Sequence, residues 1–225
     1  NIVTILDCGL LTRLTGIKHL IAKLFWFIIP VAKAKYIVAI SQATKDEILK
    51  YVKCEPDKIK VIYVSISPVY QRTEKVFDKQ KPVILHIGTA PNKNLTNHIK
   101  ALAGLNCKLV IIGKLSDSYI KDLNDNKIDY VNFVDLTDEE VFEQYKKCDL
   151  VLFASTYEGF GMPIVEANIV GRPVITSNLL SMPEVAGDAA LIVNPYNIDE
   201  IRNGILKIIN DDDYRNDLIK KGFKK

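Results

Sequence analysis

From Pro82 onward, short apolar runs alternate with longer stretches of mixed polarity. "PVILHIG", "CKLVIIG", "YVNFV", "DLVLFAS", "RPVITS" and "AALIVNP" each carry an apolar run of the length expected for a buried strand. Between them, "NLTNHIKALAG", a polar stretch at 116–124, "TDEEVFEQYKKC", the segment opened by "GMPIVEA", a short segment near "MPEVAG" and residues 198–209 read as helices. Thr137 with Glu140 three residues later predicts a capping box. Near-continuous apolar strands alternating with helices imply a parallel sheet covered on both faces. The expected fold is therefore α/β, a doubly wound, Rossmann-like domain. In such sheets ligands bind outside the carboxyl ends of the strands. That rule singles out three loops: "GTAPNKN", "VDLTDEE" and "STYEGFGMP".

Before Pro82 the pattern is looser. "NIVTILD", "AKYIVAIS" and "KIKVIYVSI" read as strands, and Ser41 or Thr44 could cap the helix "KDEILKYV". Residues 71–82 are polar and aperiodic and read as a linker. This divides the chain into a partial first unit, residues 1–75, and a second, 76–225. The chain begins with Asn1 inside an apparent strand, so an N-terminal part of a longer protein is expected to be absent.

At 225 residues the chain is long enough for one large domain or two small ones. A net charge of +3 is too slight to argue for nucleic acid. The cysteines Cys8, Cys54, Cys107 and Cys148 form no Cys-x-x-Cys pair and read as reduced structural thiols of a cytosolic protein. "LFWFIIPV", residues 24–31, is too short to span a bilayer, and Pro30 should break a helix there. It reads as a helix buried against a sheet, with an interfacial anchor as the alternative.

"YEGFGMPIVEA" carries the most chemistry. Pro163 suits a first helical turn, and Gly159 and Gly161 allow a sharp turn or close approach to a ligand. The free N–H groups of that turn favour an anion such as phosphate. Glu166 falls one turn into an apolar helix, where an unpaired carboxylate is costly; Glu158 lies on the loop before it. Two carboxylates beside an anion cradle suit a nucleotide sugar. The alternative is that Glu166 merely complements the helix dipole while Glu158 is solvated.

"EGFGMPIVE" resembles the E-x7-E motif of retaining glycosyltransferase family 4, which has the GT-B fold of two facing Rossmann domains. "GRPVITSNLLSMPEVAGDAALIVNPYN" and "DLTDEEVFEQYKKCDLVLFAS" extend the resemblance. It implies that Glu158 contacts the donor sugar and Glu166 the ribose hydroxyls. The backbone of Gly159, Phe160, Gly161 and Met162 would lie near the sugar and diphosphate, with Val134 and Leu136 bordering the base. "GTAPNKN" looks like the family's phosphate loop: Gly88, Thr89, and Lys93 as the cation that stabilises the leaving diphosphate. Glu158 and Lys93 are then the catalytic candidates, with no metal and no cofactor.

The implied reaction moves a hexosyl unit, with retention, from a nucleoside diphosphate sugar to a glycan or lipid-linked acceptor. Its setting would be cell-surface polysaccharide synthesis on the cytoplasmic side, with possible peripheral membrane contact through the lysines around residues 24–31. Two positions depart from the family pattern. Thr89 stands where many members have Arg, and Leu6 in "TILD" stands where an active-site His is expected. These favour a rival reading, a catalytically silent nucleotide-sugar-binding or scaffold protein. His86 reads as a core histidine rather than a catalyst.

Overall fold

Parallel ladders organise the protein into two sheets. In the computed structural model, which describes residues 1–224, β1 (Ile2–Ile5), β2 (Tyr36–Ala39) and β3 (Ile59–Val61) form the first, in the order β1-β2-β3. The second contains β4 (Val83–Ile87), β5 (Lys108–Ile112), β6 (Tyr130–Phe133), β7 (Leu150–Phe153), β8 (Val174–Ser177) and β9 (Leu191–Val193). Its order is β6-β5-β4-β7-β8-β9, with every neighbouring pair parallel. The order reverses between β4 and β7, which makes a crevice at the carboxyl ends of those two strands.

Strand alternation places the core of the second unit on both faces. Ile84, Leu109, Leu152 and Ile175 pack with helices Leu95–Leu102 and Ile198–Asn210 on one side. Leu85, Val110, Val151 and Val174 pack with helices Asp138–Lys147 and Met162–Val170 on the other. The capping box at Thr137 and Glu140 is present, and Ser41 caps the helix Gln42–Tyr51 through Thr44 N. The linker holds no helix or strand yet is fastened to the second unit. Arg172 donates to Thr73 O and Oγ1, and Asp149 pairs with Lys75 while accepting from the N–H groups of Asp78 and Val83.

Two expectations need correction. A further helix, Asp212–Gly222, follows Ile198–Asn210. Only Asp211 separates them, ending one helix and capping the next through Tyr214 N, so no run of loop residues marks the boundary. The second correction concerns residues 24–31. Phe27 and Val31 are buried, but Leu24, Phe25, Trp26 and Ile28 face outward. Nor does Pro30 end the helical path, which runs through a π-turn, Lys23–Ile28, directly into Ile29–Lys33. The widened turn accommodates a residue that has no N–H and a bulky ring.

Candidate active site at the switch point

The loops after β4 and β7 meet at the crevice. Pro91–Lys93 forms a single helical turn, and Asn94, in the left-handed region at φ 63°, starts the helix Leu95–Leu102. Asn94 is held there by donating to the carbonyls of Ala154 and Pro195. The Lys93 stem lies over Gly88, where a Cβ would stand 3.0 Å from Lys93 Cγ and Cε. Its ammonium sits 5.1 Å from the centre of the Phe153 ring and 2.7 Å from Glu158 Oε1. Both side chains are mostly buried, at 23% and 13% exposure, so this contact is better shielded from water than a surface ion pair. Asn92 adds a second tie between the loops, donating to Tyr157 O at 2.8 Å.

Beneath the first loop lies a pair of buried histidines. His86 Nε2 is 2.8 Å from Gly88 O, a carbonyl that can only accept, so the proton sits on Nε2. His86 Nδ1 lies nearer to His98 Nδ1, at 3.0 Å, than to Leu152 O, at 3.4 Å; with both rings neutral it accepts from His98. Burial drives His86 down to about 4 and His98 well below the usual histidine range. His86 is thus a core residue that supports the Gly88 turn.

The helix Met162–Val170 begins at the left-handed Gly161, φ 104°, with Pro163 in its first turn. The backbone N–H groups of Gly159, Phe160, Gly161 and Met162 donate to no other described residue, which leaves a run of unpaired donors at the start of that helix. Glu166 is buried at 8% exposure and receives the Tyr145 hydroxyl on Oε2 at 2.6 Å. Its other oxygen has no hydrogen-bond partner among the described residues. Burial raises the Glu166 carboxyl above the usual range; the Tyr145 bond pulls the other way, and the charge of Asp138 raises it further. The Tyr145 bond ties the helix after β6 to the one that carries Glu166. Val134 is exposed and Leu136 half-buried on the loop before that helix, at the same sheet edge.

Several of these positions also hold the loop in place. The Phe160 side chain turns away from the crevice into the core, 5.8 Å from the Tyr63 ring. Ser181 Oγ lies 2.9 Å from the carbonyls of Glu158 and Phe160. Gly159 presses on the first unit: a Cβ there would overlap the Leu6 carbonyl oxygen, and its own carbonyl accepts from Ser41 and Thr44. Tyr157 donates to Glu47 at 2.6 Å and accepts from Cys8 N. Thr89 donates to Lys114 O and so ties the β4 loop to the β5 loop rather than offering a charge. Leu6 exposes an aliphatic side chain beside this junction. Sequence reasoning missed Tyr145, Ser181, Tyr157 and His98, because each acts across a contact between distant segments.

Residues 70–225 match the family model described as "Glycosyl transferases group 1". The chain belongs to this family. It is 30% identical over 208 residues to the O-antigen chain mannosyltransferase B of Escherichia coli, covering 81% of this chain and 53% of that protein. The chain thus spans about half the length of that relative. Among solved structures, Anabaena Alr3699/HepE in complex with UDP and glucose superposes with a TM-score of 0.81 at 18% identity, covering 98% of this chain and 65% of that one. Sucrose-phosphate synthase from Thermosynechococcus elongatus gives 0.80 at 16%, covering 99% and 62%. The fold is of GT-B type, as the resemblance of "EGFGMPIVE" implies.

Proposed function

We propose that the protein is a retaining glycosyltransferase that moves a hexosyl unit from a nucleoside diphosphate sugar to a glycan or lipid-linked acceptor in polysaccharide assembly. The observation that carries this reading is the meeting of Lys93 and Glu158 at the crevice, followed directly in the chain by four unpaired N–H groups and, one helical turn further on, by Glu166. The N–H groups and the Lys93 ammonium would hold the diphosphate and stabilise the charge that grows on it as the glycosidic bond breaks. Glu158, released from Lys93 by the incoming phosphates, would accept from sugar hydroxyls. Glu166 keeps one oxygen free for the ribose while Tyr145 orients the other. Val134 and Leu136 would border the base. No step in this scheme calls on a metal or a cofactor.

The names of the curated relatives make a mannosyl unit the first to test, and the UDP of the HepE complex makes uracil one of the bases to test. A thermal-shift panel of nucleoside diphosphates and their mannose and glucose conjugates tests binding, since a ligand of the native state raises its stability. Transfer to a glycan primer, with the product anomer read by NMR, tests turnover and retention. No shift with any member of the panel would refute the donor site.

The rival reading, a donor-binding protein without turnover, draws on one observation. Leu6, which stands where the family pattern has His, offers the crevice only its backbone and an aliphatic chain. Binding without transfer by the full-length protein would decide for it.

A further inference from the structure

The loops at the crevice edge of the second sheet carry very little positive charge. The connections that leave the carboxyl ends of its strands are residues 88–94, 113–116, 134–137, 154–161, 178–181 and 194–197. Their only basic side chains are Lys93, after β4, and Lys114, after β5. Lys93 is committed to Glu158. Lys114 is exposed, and its ammonium has no partner among the described residues. An exposed lysine is ordinarily a solvated one; Lys114 is set apart by where its backbone is held. Gly88 N donates to Ile112 O at 2.8 Å and Thr89 Oγ1 to Lys114 O at 2.7 Å, so the β4 and β5 loops leave the sheet side by side. Gly113 makes the turn at φ 134°, and a Cβ on it would stand 3.1 Å from Thr89 Cγ2. Its N–H donates to Phe133 O at 2.8 Å, which fixes the β5 loop to the end of β6.

We propose that Lys114 is a second phosphate-binding cation of the donor site, holding the phosphate next to the nucleoside while Lys93 holds the outer one. The proposal rests on the donor-site reading above and gives it a direction. Strand order is β6-β5-β4-β7, so the loops bearing Val134, Lys114, Lys93 and Glu158 succeed one another along the sheet edge. Neighbouring strands lie about 4.8 Å apart. A nucleoside diphosphate sugar has its parts in the same order: nucleoside, inner phosphate, outer phosphate, sugar. With its base at Val134 and its sugar at Glu158, it lays the inner phosphate over the β5 loop and the outer one over the β4 loop. The balance of charge points the same way. Lys93 and Glu158 together bring no net charge to the diphosphate. Thr89, where the family pattern has Arg, offers only a hydroxyl that is turned to a carbonyl. Lys114 is the remaining cation on these loops, a point charge on a flexible four-carbon stem. Replacing its side chain leaves the bond from Thr89 in place, because that bond uses the backbone carbonyl.

Calorimetry of the full-length gene product with uridine, UMP and UDP, and with the guanosine series, tests the order. Lys114→Gln should weaken the monophosphate and the diphosphate alike, each by about tenfold, and leave the nucleoside unchanged. Lys93→Ala should weaken the diphosphate by a similar factor and the monophosphate far less. Lys114→Arg should retain most of the affinity, and Lys100→Gln, at an exposed position of the helix Leu95–Leu102, should match the parent. In the transfer assay Lys114→Gln should raise KM for the nucleotide sugar by about tenfold with kcat nearly held. The inner phosphate carries its charge before and after the glycosidic bond breaks, so a contact to it binds substrate and transition state alike. A Lys114→Gln variant that binds all three ligands like the parent would overturn the proposal. An equal loss that includes the nucleoside would do so too, by marking a structural role. A loss confined to the diphosphate would put both lysines at the outer phosphate and overturn the order. A parent protein that binds no member of either series refutes the donor site and this proposal with it, whereas a parent that binds and a variant that does not differ refute this proposal alone.

Discussion

Lys93 and Glu158 come from loops that follow strands adjacent at the sheet's point of reversal, and their side chains meet at 2.7 Å. A phosphate entering the crevice must compete with Glu158 for the same ammonium. Lys93→Ala should therefore weaken nucleoside diphosphate binding by about tenfold or more, the loss of a contact worth ~1.5–3 kcal/mol, and leave nucleoside binding nearly unchanged. Calorimetry that finds equal losses for both ligands would make Lys93 a structural residue.

Glu158→Ala should behave differently. It frees Lys93, so the affinity for a free nucleoside diphosphate should hold or rise, while that for the nucleotide sugar falls by about tenfold. In the complete enzyme turnover should also fall, because contacts that strengthen as the bond breaks lower the barrier. A parallel loss for both ligands would remove Glu158 from the sugar subsite.

Glu166 separates stability from binding. Its carboxyl is raised by burial, so protonation is favoured in the folded protein. The stability it contributes is fully present below the unfolded carboxyl range and is lost as pH rises through the higher folded value. At pH 7 the buried charge is then a cost in the unliganded protein. Glu166→Gln should raise the melting temperature at pH 7, and the gain should vanish as pH falls into the ordinary carboxylate range. The same variant should weaken nucleotide and nucleotide sugar alike, by about tenfold if the ribose is its ligand. A destabilised Glu166→Gln would show that the charge is fully satisfied within the protein.

What could be read from the sequence follows from how local each determinant is. The six strands of the second sheet, the Thr137 capping box and the spacing of Glu158 and Glu166 are properties of short segments, and they stand in the structure as read. Chain periodicity could not show that Tyr145 reaches Glu166, that Ser181 spans two carbonyls of the donor loop, or that His98 donates to His86. Each of those pairs is set by helix packing on the sheet. The apolar run at 24–31 was legible as a helix but not as an exposed one, because composition carries no information on which face finds a partner.

The neutral histidine pair makes the second unit sensitive to acid. His86 falls to about 4 in the folded protein, against ~6.5 when unfolded, so the unfolded chain binds the extra proton first. Stability should decline as pH falls from about 6.5 toward 4, by roughly 2 kcal/mol at pH 5 from His86 alone, with His98 adding to it. Urea melts at pH 7 and pH 5 measure this directly. His86→Gln keeps a donor for Gly88 O and should shrink the difference. A flat profile in the parent protein would mean that one ring is already charged.

Gly159 tests the seam between the two units. Its carbonyl is held by Ser41 and Thr44, and its Cα rests so near Leu6 O that no side chain fits between them. The obstacle is backbone on β1's side rather than a flexible side chain, so the loop itself must retreat if Gly159 becomes Ala. Such overpacking typically costs ~1–3 kcal/mol. The retreat should also break the Tyr157 bond to Glu47 and move Glu158 relative to Lys93. Gly159→Ala is therefore expected to lower nucleotide-sugar affinity more than nucleotide affinity, since Glu166 sits on a helix that need not follow. Gly159 is not among the positive-φ glycines, so the cost of the alanine there is the clash alone. If Gly159→Ala melts and binds like the parent, the first unit does not position the donor loop, and the contacts from Ser41, Thr44 and Tyr157 serve only to hold the two units together.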